Sequence, residues 1–381
     1  MKYMLFGIVV LILLGLNGYL YIRTLQCLPH IMWLRVGVSI LFWLALLSFM
    51  VGMFLGDFLP DKGILSIIPS VGYTWFIAAA YLIFFCLCID FVRIINHFFH
   101  IYPQWITGHY QLTKLILAGS MSLMVIVFLF VGNYKYRNPY RAEVEIALNK
   151  ELPDGELKIV MVSDVHLGNN IGKRELLRYV EMINSETPDL ILIAGDLCDR
   201  SVKPLIKQNM REELSSLKSK YGVYFASGNH EFYGEDREQI FEYLTSAGIN
   251  VLTDSVVTVG GVIIAGREDK TNKHRKKVSE LLRGVDRSKP LILMDHQPFN
   301  LEDAEQAGVD LQLSGHTHNG QFWPGSWVVK MMYELPYGYM QKGNTHYYVS
   351  SGLGLWGPKY RVGTKSEMVV IKLISNLQES V

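Results

Sequence analysis

Apolar positions follow two different rhythms along this chain. The first third holds four long apolar runs, at about residues 3–21, 32–56, 64–92 and 115–132. A bilayer core about 30 Å thick takes about 20 helical residues to cross, so each run predicts a spanning helix. Ser39–Gly56 contains no charged residue, which argues against a soluble helical bundle. Pro69 and Gly72 predict that the third helix starts late or kinks. Lys2 precedes the first run as in a signal peptide, but no small-residue cleavage site follows and three further runs do.

From Leu157 the rhythm changes to short apolar runs alternating with helical-period segments. Strands are expected at Leu157–Ser163, Leu190–Ala194, Val223–Ser227, Val262–Ala265, Leu291–Met294, Leu311–Ser314, Tyr347–Ser350 and Met368–Leu373. Several are continuous apolar runs, as in strands buried on both faces. Lys173–Ser185 and Arg237–Ala247 carry apolar residues at helical spacing. This alternation predicts an α/β fold of stacked layers. The expected organisation is a transmembrane domain at 1–134, a polar linker with a lead-in strand at 135–156, an α/β domain at 157–375 and a loose tail at 376–381.

Charge adds little. The formal net charge is +1, so no basic field suggests nucleic acid. Cys27, Cys86, Cys88 and Cys198 do not read as a disulfide framework. With four crossings, Lys2, Lys62, Lys135, Arg137 and Arg141 share one side, and Arg23, Arg35, Arg93 and Lys114 the other. The cluster directly after the last span favours a cytoplasmic C-terminal domain in a multi-pass membrane protein. Asp90 and Arg93 either pair or mark a helix end. His97, His100 and His109 belong to an interfacial connector, and Lys273–Lys277 form a basic run on a helical stretch, either solvated or facing lipid headgroups.

Metal-type residues collect at the ends of the expected strands. They are Asp164 and His166 in SDVHLG, Asp196 in GDLCDR, Asn229 in GNHEFY, His296 in DHQPFN, and His316 and His318 in SGHTHNGQ. Each piece alone has an ordinary reading as a turn or a surface residue. Five pieces in order, at the strand ends where open α/β sheets bind ligands, describe a site for two metal ions. Glycines 195, 228 and 315 are expected to let the backbone turn sharply there. Imidazole and carboxylate donors suit Mn, Fe or Zn, with Mn favoured, and the mixed set argues against magnesium. Two ions about 3.5–4 Å apart need a bridging carboxylate. Asp196, alone on its strand between the two halves of the donor set, is the natural bridge.

The order D-x-H, G-D, G-N-H, H, G-H-x-H resembles the calcineurin-like metallophosphoesterase superfamily. The wording of the motifs is most similar to its membrane-attached bacterial branch, the YkuE/YaeI-like phosphoesterases. The resemblance covers roughly Leu157–Leu373. It implies a four-layer α/β/β/α sandwich. It implies one metal held by Asp164, His166, Asp196 and His318, and a second by Asp196, Asn229, His296 and His316. It assigns His230 as general acid or transition-state stabiliser.

Other residues stay open between two readings. Arg200 contacts phosphate or pairs with Asp199. Glu231 orients His230 or begins the next helix. Arg361, in a Gly-rich loop with Trp356 and Lys359, contacts phosphate or belongs to a turn before the last strand. The expected function is membrane-bound, di-metal hydrolysis of a phosphoester or pyrophosphate bond. Four spans exceed what tethering needs, which favours a lipid-linked or membrane-proximal substrate; the expected partners are the lipid bilayer and a lipid-linked or small phosphoester substrate. The rivals are a non-catalytic scaffold of the same fold and a membrane sensor regulated by its soluble domain.

Overall fold

The computed structural model describes residues 2–55, 59 and 63–377. The loop expected at Asp57–Lys62 lies, apart from Leu59, outside them, as does the tail beyond Leu377. The chain divides into two compact units, Met1–Val131 and Gly132–Val381.

Each apolar run forms a helix: α1 (Lys2–Cys27), α2 (Met32–Leu55), α3 (Ile68–Phe99) and α4 (Tyr110–Arg137). All four have the length and hydropathy to cross a membrane. The third starts late, after a 3-10 turn at Ile64–Ile67, and Pro69 sits in its first turn, where the missing N–H costs nothing. Gly72 serves packing: a Cβ there would overlap the backbone of Phe49, so glycine lets α2 and α3 approach. Asp90 does more than mark a helix end. It accepts a hydrogen bond from Tyr19 Oη at 2.7 Å and pairs with both Arg23 and Arg93.

The second unit holds two six-stranded sheets. The first contains β1 (Tyr140–Leu148), β2 (Glu156–Val162), β3 (Leu190–Ala194), β4 (Val223–Ala226), β5 (Ile249–Leu252) and β12 (Glu367–Ser375), in the order β1-β12-β2-β3-β4-β5. The second contains β6 (Ser255–Val259), β7 (Val262–Gly266), β8 (Leu291–Met294), β9 (Leu311–Ser314), β10 (Gly338–Lys342) and β11 (Thr345–Val349), in the order β10-β11-β9-β8-β7-β6. Strands β2 to β5 run parallel, as do β7, β8, β9 and β11.

Alternation along the strands builds the layers, because successive side chains face opposite sides. Leu157, Ile159 and Met161 of β2 join Ile292 and Met294 of β8 in a core between the sheets. Val160 and Val162 face the other way, onto α5 (Lys173–Ser185) through Tyr179, Val180 and Ile183, and onto α6 (Arg237–Ser246) through Ile240 and Leu244. Leu291 and Leu293 face Val278, Leu281, Leu301 and Ala304 on the far side of the second sheet. The result is a four-layer α/β/β/α sandwich. The basic stretch Lys273–Lys277 is loop rather than helix. Arg275 is drawn out of it by Asp295, a buried carboxylate that also pairs with Arg267 at 2.9 Å.

Candidate metal centre

The carboxyl ends of β2, β3 and β4 meet those of β8 and β9, and the expected ligands follow those ends. Backbone hydrogen bonds stitch the loops together: Asp164 N–H to Gly195 O, His166 N–H to Asp196 O and Gly315 N–H to His296 O. Asp164, His166, Asp196, His316 and His318 all take left-handed backbone, with φ of 50°, 53°, 52°, 69° and 49°. Each such residue costs on the order of 1–3 kcal/mol, and strain of this kind persists where surrounding structure enforces it.

Glycine matters here for space more than for turning. Gly195 has φ +85°, but Gly228 and Gly315 do not take positive φ. A Cβ on Gly228 would overlap the Asp196 carboxylate, and one on Gly315 would overlap that of Asp164. Both positions stay bare so that a carboxylate can lie against the main chain.

The side chains converge on two adjoining groups. In one, Asp164 Oδ1 lies 3.3 Å from His318 Nε2 and 3.9 Å from His166 Nε2, and the two histidine Nε2 atoms are 3.2 Å apart. In the other, Asp196 Oδ2 lies 3.1 Å from His296 Nε2, and His316 Nδ1 is 2.7 Å from Asn229 Oδ1. Asp196 Oδ2 also lies 3.8 Å from His166 Nε2, so one oxygen faces both groups. Asp164, His166, Asp196 and His296 are essentially inaccessible.

This arrangement fits metal ions. Buried His296 Nε2, His166 Nδ1 and His318 Nδ1 have no hydrogen-bond partner. Two Nε2 atoms at 3.2 Å, with two carboxylates around them, ask for a cation. Burial holds the His166 pKa down to about 3, and burial with the nearby Arg361 charge holds His318 well below its ordinary value. Both are therefore neutral and offer lone pairs. His296 Nδ1 lies 2.8 Å from Ala194 O, which fixes the tautomer and leaves Nε2 free for a metal. Burial opposes a charge on His296, but Asp196 raises its pKa well above the ordinary range; a bound cation answers the same demand.

His230 opens a helical turn, His230–Tyr233, directly after Asn229. Its ring centroid lies 4.4 Å from that of His166, and Nδ1 is 2.8 Å from Asp199 Oδ1. Asp199 therefore pairs with His230 and not with Arg200, whose guanidinium lies over the Tyr233 ring at 5.9 Å. Glu231 neither orients His230 nor merely starts a helix. It is fully buried and accepts backbone N–H bonds from Asp196, Cys198 and Gly228, locking two ligand loops together. Arg361 departs most from expectation. It is fully buried and donates through its two terminal nitrogens to the carbonyls of His318, Gly352 and Gly354, so it clamps the loop that carries His318, while its buried Nε has no partner. Its place in the chain shows only a Gly-rich loop; that this loop folds under His318 is tertiary information.

Residues 157–320 match the model of the calcineurin-like phosphoesterase family. An uncharacterized metallophosphoesterase of Campylobacter jejuni is 29% identical over 391 residues, covering 98% of this chain and 99% of that protein. One of Helicobacter pylori is 33% identical over 272 residues, 70% of this chain and 72% of the relative. A zebrafish (Danio rerio) transmembrane protein with metallophosphoesterase domain is 35% identical over 253 residues, 62% of this chain and 57% of the relative.

Proposed function

This chain belongs to the calcineurin-like phosphoesterase family, and from that premise we propose that it is an integral membrane, two-metal phosphoesterase. The observation that carries the reading is the position of Asp196 Oδ2, which faces both His166 and His296. Asp164, His166, Asp196 and His318 would hold one ion, and Asp196, Asn229, His296 and His316 the second. When bound, such ions polarise phosphoryl oxygens and acidify a water toward neutrality; the mixed imidazole, carboxylate and amide donors suit Mn, Fe or Zn, and manganese is the ion chosen for the test.

The chain's own residues divide the remaining work. Asp199 holds the Nδ1 proton of His230, so the proton available for transfer sits on Nε2. That proton passes to the leaving oxygen. Glu231 and Arg361 keep the ligand loops in place. Arg200 is exposed enough, over Tyr233, to reach a substrate phosphate. The substrate class is a lipid-linked or membrane-proximal phosphoester or pyrophosphate. The number of spans supports this, since one would suffice to tether. Lys135 and Arg137 in the last turn of α4, and Arg141 just past it, support a cytoplasmic catalytic side in a bacterial inner membrane.

The test is activity of the purified full-length chain in detergent, stripped and reloaded with Mn²⁺. The panel is bis-p-nitrophenyl phosphate, p-nitrophenyl phosphate and a pyrophosphate diester. Manganese-dependent hydrolysis of at least one is expected. A metal-loaded protein inert toward all three would remove the catalytic reading and favour a scaffold.

A further inference from the structure

Gly325–Met332 (α7) begins seven residues after His318 and buries none of its own residues. Trp327, Val328, Met331 and Met332 are 59%, 50%, 80% and 60% exposed. A helix this short is marginal in water on its own. Four large apolar side chains together on an exposed helix mark a surface that meets something apolar.

Two observations say what covers it. The first is position. Phe322 bridges Val362, and Trp323 N–H donates to Val362 O at 2.7 Å. The same loop is fastened to α4: Arg361 N–H donates to Gly132 O at 2.9 Å, and Asn133 Nδ2 donates to Lys359 O at 2.9 Å. Gly132 and Asn133 belong to the last turns of a helix long and apolar enough to span a bilayer. One loop thus ties the exposed helix to the end of a spanning helix. The second observation is charge. Lys330 is the helix's one charged residue, and it is exposed. Apolar residues with a cation and no acid complement an anionic lipid surface. The same segment reaches the metal centre, because the Tyr333 ring, directly after α7, has its centroid 6.3 Å from that of His316.

We propose that α7 seats in the lipid surface, with Trp327, Val328, Met331 and Met332 among acyl chains, and delivers the phosphate of a bilayer lipid to the metal centre. The choice of substrate rests on the phosphoesterase reading above; the lipid contact does not.

The test uses the full-length chain with p-benzoylphenylalanine in place of Met331, in vesicles of phosphatidylcholine and phosphatidylglycerol. Irradiation is expected to give a lipid adduct, identified by mass. The same replacement at Lys289, exposed and preceding β8 at the end of the strand away from His296, is expected to give none. No lipid adduct at 331, equal adducts at both positions, or a crosslink to another protein or a second copy overturns the lipid contact. A second arm pairs Trp327→Ser with Met331→Ser. Hydrolysis of phosphatidylglycerol in the vesicles should fall several-fold while hydrolysis of bis-p-nitrophenyl phosphate holds. Equal loss on both probes, or none on either, overturns the substrate delivery. A wild-type chain that hydrolyses neither probe fails the phosphoesterase reading, and with it the delivery, while the crosslink still decides the contact.

Discussion

His230 Nδ1 lies 2.8 Å from Asp199 Oδ1, and this pair joins a residue beside the proposed ligand Asn229 to the loop that carries Asp196. Burial works against a charged His230, but the bond to Asp199 and the charges of Asp196 and Asp199 outweigh it, and the pKa is raised. A raised pKa keeps the Nε2 proton to higher pH. Asp199→Asn removes that support, so the basic limb of the kcat profile should move to lower pH. His230→Ala should lower kcat by about 10²–10⁴-fold, the usual range for general acid work. Metal content should stay unchanged in both variants, because neither residue is among the proposed ligands. A basic limb unmoved in Asp199→Asn would separate the pair from catalysis.

Asp196 is the residue on which both donor groups depend. Asp196→Ala should therefore lose both ions, whereas His318→Ala should weaken one. Metal analysis after dialysis against manganese buffer measures the difference. Retention of one tightly held ion in Asp196→Ala would show that the two groups do not share this carboxylate.

Much of this centre was legible before folding, and the reason is the buried parallel strand. β3 and β8 are buried on both faces and read as unbroken apolar runs, β2 becomes one from Ile159 onward, and β9 is a short buried strand interrupted by Gln312; their ends point to Asp164, Asp196, His296 and His316. The strands that escaped notice, β5, β6 and β10, all lie at sheet edges, and β6 and β10 are half-exposed along their length. β6 and β10 lack a fully buried face, and β5 is only four residues long, so each leaves little apolar signal. Glu231 was visible as a residue, but two of its three partners lie 33 and 35 positions earlier in the chain. Arg361 is open in the sequence between a phosphate contact and a turn before the last strand. Only the fold shows that its terminal nitrogens are taken by the carbonyls of His318, Gly352 and Gly354. The exposed face of α7 was equally hidden, since WVVKMM reads like any core helix.

Glu231→Gln tests whether the buried carboxylate is a structural lock. Oε2 accepts from the amides of Asp196 and Gly228, and Oε1 from that of Cys198. An amide side chain has only one accepting oxygen, so a donor must face a donor. Leaving buried polar groups unsatisfied costs about 1–3 kcal/mol. A lower thermal midpoint is expected, together with weaker manganese binding, because both ligand loops are released. An unchanged midpoint and affinity would mean that the loops hold without it.

Topology can be read independently of chemistry. If all four helices of spanning length, α1 to α4, cross, the two ends of the chain lie on one side of the membrane. Reporter fusions in the Asp57–Lys62 loop and at Val381 should then respond in the same compartment, and a fusion near His100 in the opposite one. The direction follows from the basic residues. Lys135, Arg137 and Arg141 stand within or just past the last turn of α4, and positive residues flanking a span are retained in the cytoplasm. The other side carries Arg23, Arg35, Arg93 and Lys114, but Arg23 and Arg93 are paired with Asp90, which reduces their electrostatic reach. The reporter at Val381 should therefore be active as a cytoplasmic marker and silent as a periplasmic one. Opposite compartments for Val381 and the Asp57–Lys62 loop would mean that one of the helices does not cross.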